Sequence, residues 1–235
     1  MTAEDYIRKV NNQVQGLFES SLTENKVVIN TGIDTSKSLQ VWLSVIPEDK
    51  YKILLNNSIQ SLELSIISQT YCFYRNAFSA LRLSLEMLFG GLFFSTTLLD
   101  FIEWSMSSKD LNWGTISDFD KGVLSHRFYN AFFPELKGEC EPYHTKAKKL
   151  YRDLSEYVHG NNHTWITQKE VLKIEKDEIK LYEECLKLFM ELSNFALSVR
   201  YLKELDKQQL EQVEPIVLQN LNHIKPINLY LSKSK

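Results

Sequence analysis

Residues 181–202 read LYEECLKLFMELSNFALSVRYL, and this stretch predicts the fold class more directly than any other part of the chain. Its apolar residues recur in alternating steps of four and three, the spacing of a helix that packs one face against other helices. The positions in this seam are Leu181, Cys185, Leu188, Leu192, Phe195, Val199 and Leu202. We therefore expect a long helix over residues 175–205.

The composition favours an all-α fold. The 235 residues include only 8 Gly and 5 Pro, too few for the turns of a β-sandwich or barrel of this length. A hydrophobic content of 43% excludes intrinsic disorder, and a net charge of −3 excludes a strongly basic nucleic-acid coat. Cys72, Cys140 and Cys185 lie far apart, which favours a reducing cytoplasm over a disulfide framework.

The pattern along the chain predicts one helical domain over residues 1–235. Residues 53–99 carry only four charges and predict two central helices, at about 50–68 and 71–103, or one long bent helix. Gly90 and Gly91 inside this stretch predict a close crossing by another helix. The longest uncharged run, residues 87–99, is shorter than the roughly 20 residues of a membrane span, so we expect a soluble protein that contacts no membrane.

The flanking regions give weaker patterns. Residues 4–22 predict an amphipathic helix, within an N-terminal part that covers residues 1–49. Residues 25–40 are polar with a short β-branched run and predict a loop or a small hairpin, and any strand is expected within residues 25–45. Shorter helices are expected at 124–136 and 143–158. Pro215 and Pro226 interrupt residues 206–235, which we interpret as a tail.

Residues 151–163, YRDLSEYVHGNNH, are the most informative for function. On a helix, Arg152, Glu156 and His159 share one face, while Leu150, Leu154, Tyr157 and Val158 lie on the opposite face. Such a charged face is commonly solvated and held by an i,i+4 salt bridge. It also suits chemistry on RNA, because a histidine moves protons near neutral pH and an arginine stabilises a charged phosphorane.

The segment from Arg152 to His159 resembles the Arg-x(4–6)-His motif of the HEPN superfamily, with six intervening residues and the polar Asp153 after the arginine. The resemblance extends over about residues 50–205 and implies a HEPN-like helical bundle with peripheral loops. It implies a metal-independent endoribonuclease in a prokaryotic defence or toxin–antitoxin setting, with Arg152 and His159 as the catalytic residues. The alternative is a non-catalytic helical interaction or regulatory subunit of a defence complex.

The resemblance also implies assembly. The motifs of this superfamily usually meet at a dimer interface, so the expected partners are RNA and a second copy or another helical or regulatory chain. We expect residues 146–163 at or beside that interface. No cofactor motif is present in the sequence, and we expect neither a cofactor nor a metal, although Glu156, His159 and His163 are residue types that metals bind.

Two further groups accompany the motif. Arg75, Ser79, Arg82 and Glu86 form one stripe on an otherwise apolar helix. The stripe is either a buried ion-pair network that braces the bundle or, with Glu156 and Asp153, a support for the catalytic pair. Lys146, Lys148 and Lys149 precede Arg152 and form either a solvated face or contacts to the RNA backbone.

Aromatic and core positions complete the predictions. We interpret Trp104, Trp113 and Trp165 as anchors of loops rather than as platforms for base stacking. Besides the seam residues Leu188, Leu192, Phe195 and Val199, we expect four positions of the central helices in the core. These are Phe78, Leu81, Leu85 and Leu88.

Overall fold

The computed structural model describes residues 1–47, 49–159 and 172–233, and within these the chain is all-α without a strand. The helices, numbered in chain order, are α1 (Ala3–Glu24), α2 (Lys26–Val45), α3 (Asp49–Thr70), α4 (Tyr74–Phe94), α5 (Leu98–Ser105), α6 (Trp113–Ile116), α7 (His126–Phe132), the 3₁₀ helix η1 (Pro134–Glu139), α8 (Cys140–Ser155), α9 (Lys176–Tyr201), α10 (Lys207–Leu221) and α11 (Lys225–Lys233). The prediction of an all-α fold is confirmed.

A hairpin of α3 and α4 lies at the centre of the bundle. Small residues allow the two helices to approach: the Ser58 hydroxyl donates to the Ser84 carbonyl at 2.8 Å, and the Ser84 hydroxyl donates to the Ser58 carbonyl at 2.8 Å. A Cβ atom added to Gly91 would lie 3.3 Å from Cβ of Leu54 on α3. The close crossing predicted at Gly90 and Gly91 is therefore confirmed.

The second predicted central helix is divided. It ends at Phe94, and α5 begins at Leu98 after a turn in which the hydroxyls of Ser95, Thr96 and Thr97 bond to preceding carbonyls. By length and composition, α4 is the one helix in the described part of the chain that could cross a membrane, but 72% of its most apolar window is buried inside the bundle. Phe78, Leu81, Leu85 and Leu88 are all buried, as predicted.

The long helix predicted from the seam is α9, and it packs against α2, α4 and α8. Leu192, Phe195 and Val199 are buried as expected. In the first half of the seam Cys185 is buried as predicted, but the predictions for Leu181 and Leu188 are wrong, because Leu181 is 37% exposed and Leu188 is only partly buried. The buried positions there are Tyr182, Cys185, Leu186 and Phe189. They follow the 3.6-residue period of a helix surrounded by several neighbours rather than a coiled-coil seam.

The predicted loop or hairpin at residues 25–40 is wrong, because these residues belong to α2. Buried Val28, Leu39 and Trp42 hold the helix in the bundle, and tertiary packing outweighs the low helix propensity of the β-branched residues. The Thr35 hydroxyl is satisfied inside the helix by the Thr31 carbonyl at 2.7 Å.

Residues 206–233 are also more ordered than the predicted tail, since α10 and α11 join the core. Asp206 begins α10 with a capping box formed with Gln209. Pro215 lies inside α10 and Pro226 near the start of α11. Seven apolar side chains of this region are buried: Leu210, Val213, Val217, Leu221, Ile224, Ile227 and Leu231.

Candidate functional site

Helix α8 divides its side chains as the sequence predicts. Leu150, Leu154 and Tyr157 are buried in the core, whereas Arg152 and His159 are exposed. Val158 was expected on the apolar face but is 42% exposed. The helix ends at Ser155, three residues earlier than predicted, and His159 lies in the turns that follow. Neither Arg152 nor His159 is therefore part of the hydrophobic core.

Tyr157 fixes the chain two residues before His159. Its ring stacks face to face on Phe78 of α4, with centroids 3.8 Å apart and planes 8° apart. Its hydroxyl donates to Oε2 of Glu178 at 2.5 Å. Burial raises the pKa of Glu178, while the hydrogen bond from Tyr157 and the charge of Arg75 oppose that rise. Arg75, at the start of α4, therefore acts electrostatically on the anchor of the motif.

Tyr74 holds the chain on the other side of residues 160–171. Its hydroxyl donates to the Lys173 carbonyl at 3.1 Å and accepts from the Glu175 amide at 2.9 Å. Burial raises the pKa of the Tyr74 phenol, so the hydroxyl stays protonated as these bonds require. Both flanks of residues 160–171 are thus fixed at the first two turns of α4. His163 and Trp165 lie outside the described residues.

The Arg82–Glu86 pair of the predicted stripe forms a partly buried network between α4 and α8. Nη2 of Arg82 donates to Oε1 of Glu86 at 3.0 Å and to the Tyr151 hydroxyl at 2.5 Å. The guanidinium also lies over the Tyr151 ring, 4.7 Å from its centroid, and Trp113 stacks on the same ring at 4.3 Å. Trp113 thereby anchors α6 to the bundle.

This network contacts the residue next to Arg152 but does not enclose Arg152 itself. Glu86 is engaged by Arg82, within the same helix. Ser79, the uncharged member of the predicted stripe, is partly buried. The bracing interpretation and the supporting interpretation of the stripe both agree with this arrangement, because the brace meets α8 one residue before the motif.

The two acidic residues within the motif are both partly buried. Asp153 is partly buried, and burial raises its pKa although the charges of Lys149 and Arg152 oppose the rise. Oδ2 of Asp153 lies 4.0 Å from Nζ of Lys149. Glu156 is also partly buried, in the turn between Arg152 and His159.

The three predicted RNA-contacting lysines diverge. Lys148 and Lys149 are exposed, but Nζ of Lys146 donates to Oε1 of Glu191 on α9 at 2.7 Å. Lys146 also lies over the Tyr143 ring, 4.5 Å from its centroid. Two of the three lysines are thus exposed beside Arg152, Lys149 with Asp153 as its ion-pair partner, and the third is turned toward the bundle.

Sequence reasoning missed the network to which Lys146 belongs. The Tyr143 hydroxyl donates to Glu191 at 2.7 Å and lies 3.2 Å from Nε2 of His223. Burial would raise the pKa of Glu191, but the hydrogen bonds from Lys146 and Tyr143 together lower it. The three elements that meet here are far apart in the sequence, and no spacing rule connects them.

The cysteines have the environment of structural residues. All three are buried, and burial raises the pKa of the Cys185 thiol to about 12. The Cys140 thiol donates to the Leu124 carbonyl at 3.0 Å. Across residues 1–47, 49–159 and 172–233, no three His, Cys, Asp or Glu side chains converge as ligands for a metal ion.

Comparison of the chain with protein-family models, with curated proteins and with solved structures finds no match. Any functional assignment therefore depends on the residues and the geometry described above.

Proposed function

We propose that this protein is a HEPN-like, metal-independent endoribonuclease in which Arg152 and His159 act on the RNA backbone. The observation that carries the proposal is that both side chains are exposed at one end of α8, while the neighbouring Leu154 and Tyr157 are fixed in the core. A pair of polar side chains outside the core, on a rigidly held backbone, is the arrangement that a site for a charged substrate requires.

In the proposed reaction the RNA supplies its own nucleophile. His159 removes the proton of a 2′-hydroxyl as the 2′-oxygen bonds to the adjacent phosphorus. The bond from phosphorus to the 5′-oxygen breaks, and an imidazolium returns a proton to that oxygen. Arg152 stabilises the extra negative charge on the phosphorane. The products are a 2′,3′-cyclic phosphate and a 5′-hydroxyl end.

We propose that two copies form the complete site. One imidazole removes a proton while another donates one, so two His159 side chains across a two-fold axis suit the reaction. The part of the expected interface at residues 160–163 lies outside the described residues. Mixing wild-type and His159→Ala proteins at fixed total concentration tests this: if each site needs His159 from both copies, the cleavage rate should fall with the square of the wild-type fraction, and a fall in simple proportion to that fraction contradicts it.

The cleavage test uses purified protein and total RNA in EDTA, beside His159→Ala as the control. We expect the wild-type protein to produce fragments with cyclic phosphate ends and His159→Ala to leave the RNA intact. Intact RNA with the wild-type protein, or equal cleavage by both proteins, would refute the nuclease proposal.

A second candidate function is supported by a different surface. Helix α5 exposes Leu98, Leu99, Ile102 and, just after its end, Met106, which form an apolar edge on the outside of the bundle. Exposed apolar patches on soluble proteins commonly mark contacts with other proteins. A non-catalytic interaction or regulatory subunit would use such a surface, and it would leave RNA intact whether or not Arg152 is present. A role of this subunit in a prokaryotic defence complex is supported only by the resemblance to the HEPN superfamily.

A further inference from the structure

A cleft lies between α2 and α10, beside α9. The two helices run antiparallel, and they meet where Nε2 of Gln209, near the start of α10, donates to the Val45 carbonyl at the end of α2 at 3.1 Å. Further along both helices, residues within 34–41 of α2 and 216–220 of α10 line a cavity of about 230 Å³. One water molecule needs only about 10–15 Å³ of such space, so the cleft has room for an organic molecule.

The walls of the cleft follow from the helical period. The α2 wall is a single helical face, with residues at i, i+3, i+4 and i+7: Asp34, Lys37, Ser38 and Val41. Ile216, Gln219 and Asn220 form the opposite wall on α10, and Met190 of α9 lies between the two walls. Val41, Met190 and Ile216 are only partly buried, so apolar surface stays open to the cleft.

A buried set of hydrogen bonds fixes the cleft in shape. The Ser38 hydroxyl donates to Oδ1 of Asn194 at 2.8 Å, and Nε1 of Trp42 donates to the same oxygen at 3.0 Å. Nδ2 of Asn194 donates in turn to the Met190 carbonyl at 2.9 Å. Because Ser38, Trp42 and Asn194 are all buried, they hold α2 and α9 together beneath the cleft, which is therefore formed before a ligand arrives.

Two opposite charges are unpaired on the α2 wall. Asp34 and Lys37 are exposed, and neither side chain forms a hydrogen bond or an ion pair within the described part of the chain. Three residues of helix rise about 4.5 Å, so a carboxylate and an ammonium group lie less than one turn apart. On the opposite wall, Nδ2 of Asn220 donates to the Ile216 carbonyl at 2.8 Å, which leaves the Asn220 amide oxygen and the Gln219 amide for a ligand.

We propose that this cleft binds a free amino acid with an apolar side chain. The ammonium group of the ligand pairs with Asp34 and its carboxylate with Lys37, so each charge of the cleft gains a partner. The side chain of the ligand covers the partly exposed Val41, Met190 and Ile216. A phosphorylated ligand would bring negative charge to Asp34 as well as to Lys37, and a purely apolar ligand would leave both charges without partners. The assignment is independent of the proposed nuclease activity.

Leucine and three analogues test the proposal by isothermal titration calorimetry at pH 7. Isocaproate has the leucine skeleton without the ammonium group, and isoamylamine has it without the carboxylate. We expect leucine to bind and each of these analogues to bind at least about ten-fold more weakly, because each lacks one charge-assisted interaction. Glycine keeps both charges but has no side chain, and it should also bind at least about ten-fold more weakly than leucine.

Variants without the charges assign each end of the ligand. Asp34→Asn and Lys37→Gln should each weaken leucine binding at least about ten-fold. In Asp34→Asn the advantage of leucine over isocaproate should disappear, and in Lys37→Gln its advantage over isoamylamine should disappear. Asp177→Asn and Lys180→Gln are the matched controls, since these residues have the same spacing on α9, are exposed, and lie outside the cleft. Both control variants should bind leucine as wild type does.

Three results would overturn the proposal: no binding of leucine at millimolar concentration, equal affinity for leucine and for the two analogues with a single charge, or an equal loss of affinity in the control variants. A second copy of the chain is the competing occupant. If sedimentation velocity shows a dimer that is lost in Lys37→Gln while leucine does not bind, the cleft is an interface between copies and the amino-acid site is refuted. RNA cleavage is measured separately, and its outcome bears on the nuclease alone.

Discussion

Two arginines lie at α8, Arg82 on the neighbouring helix α4 and Arg152 on α8 itself, and they differ in their exposure to solvent and in their partners. Arg82 lies against Tyr151 with 15% of its side chain exposed, and its partner Glu86 has 23% exposed. Arg152, the residue after Tyr151, is exposed to solvent, and its charge is one of those that oppose the rise that burial causes in the pKa of Asp153. One arginine therefore contributes to the stability of the helix packing, and the other is available for a ligand. The following predictions measure this difference.

The largest effect is expected in the core to which both helices attach. Leu192 is completely buried in α9. Leu192→Ala should lower the free energy of unfolding by about 2–5 kcal/mol, because it leaves a cavity as well as losing apolar contacts. Chemical denaturation measures this loss. A loss below about 1 kcal/mol would mean that the packing around α9 differs from the structure.

Arg82→Ala should come next, with a loss of about 1.5–3 kcal/mol. The variant removes hydrogen bonds to Glu86 and Tyr151 and leaves Glu86 partly buried without its cation. In a chain of this size the melting temperature should fall by roughly 2–4 °C for each kcal/mol. Arg8→Ala is the matched control: Arg8 forms an i,i+4 pair with Glu4 at 2.6 Å, but both side chains are more than 70% exposed. An equal effect in the two variants would show that the Arg82 network does not brace the bundle.

A smaller effect, with a defined pH dependence, is expected at Glu191. Its pKa in the folded protein is lowered from the ordinary 4.5, so the folded state favours the charged carboxylate more than the unfolded state does. The stabilisation is therefore present above pH 4.5 and is lost as the pH falls through the folded pKa. Glu191→Gln should be less stable than wild type by about 1 kcal/mol at pH 7. The difference should shrink toward pH 3 when melting temperatures are compared, and a difference that is constant with pH would contradict the network with Lys146 and Tyr143.

The sequence predicted the parts of the molecule in which local pattern and tertiary packing agree. The apolar spacing in α4 and α9 and the two faces of α8 could be inferred because each helix alone shows which side is buried. The charged stripe could be inferred because Arg82 and Glu86 are four residues apart in one helix.

The sequence predictions that proved wrong, and the contacts that were missed, have a common physical cause. Helix α2 has weak intrinsic propensity and forms because Val28, Leu39 and Trp42 are buried against other helices, and residues 206–233 are helical for the same reason. The contacts of Tyr143 with Glu191 and His223 join residues 48 and 80 positions apart. The stacking of Phe18 on Tyr71 likewise joins α1 to the turn after α3, across 53 positions of sequence. Contacts of this kind depend on how the helices pack, and no local pattern predicts them.

The smallest change in stability and the largest change in activity are expected together, at Arg152. Arg152→Ala should alter the free energy of unfolding by less than about 0.5 kcal/mol, because an exposed side chain away from the core supports little. The decisive measurement is the rate of RNA cleavage in EDTA by Arg152→Ala, at a temperature where circular dichroism shows it as folded as wild type. We expect a loss of at least about 100-fold, the scale found when one group that stabilises a transition state is removed. An unchanged rate, or a melting temperature that falls as far as that of Arg82→Ala, would contradict a functional role for this arginine.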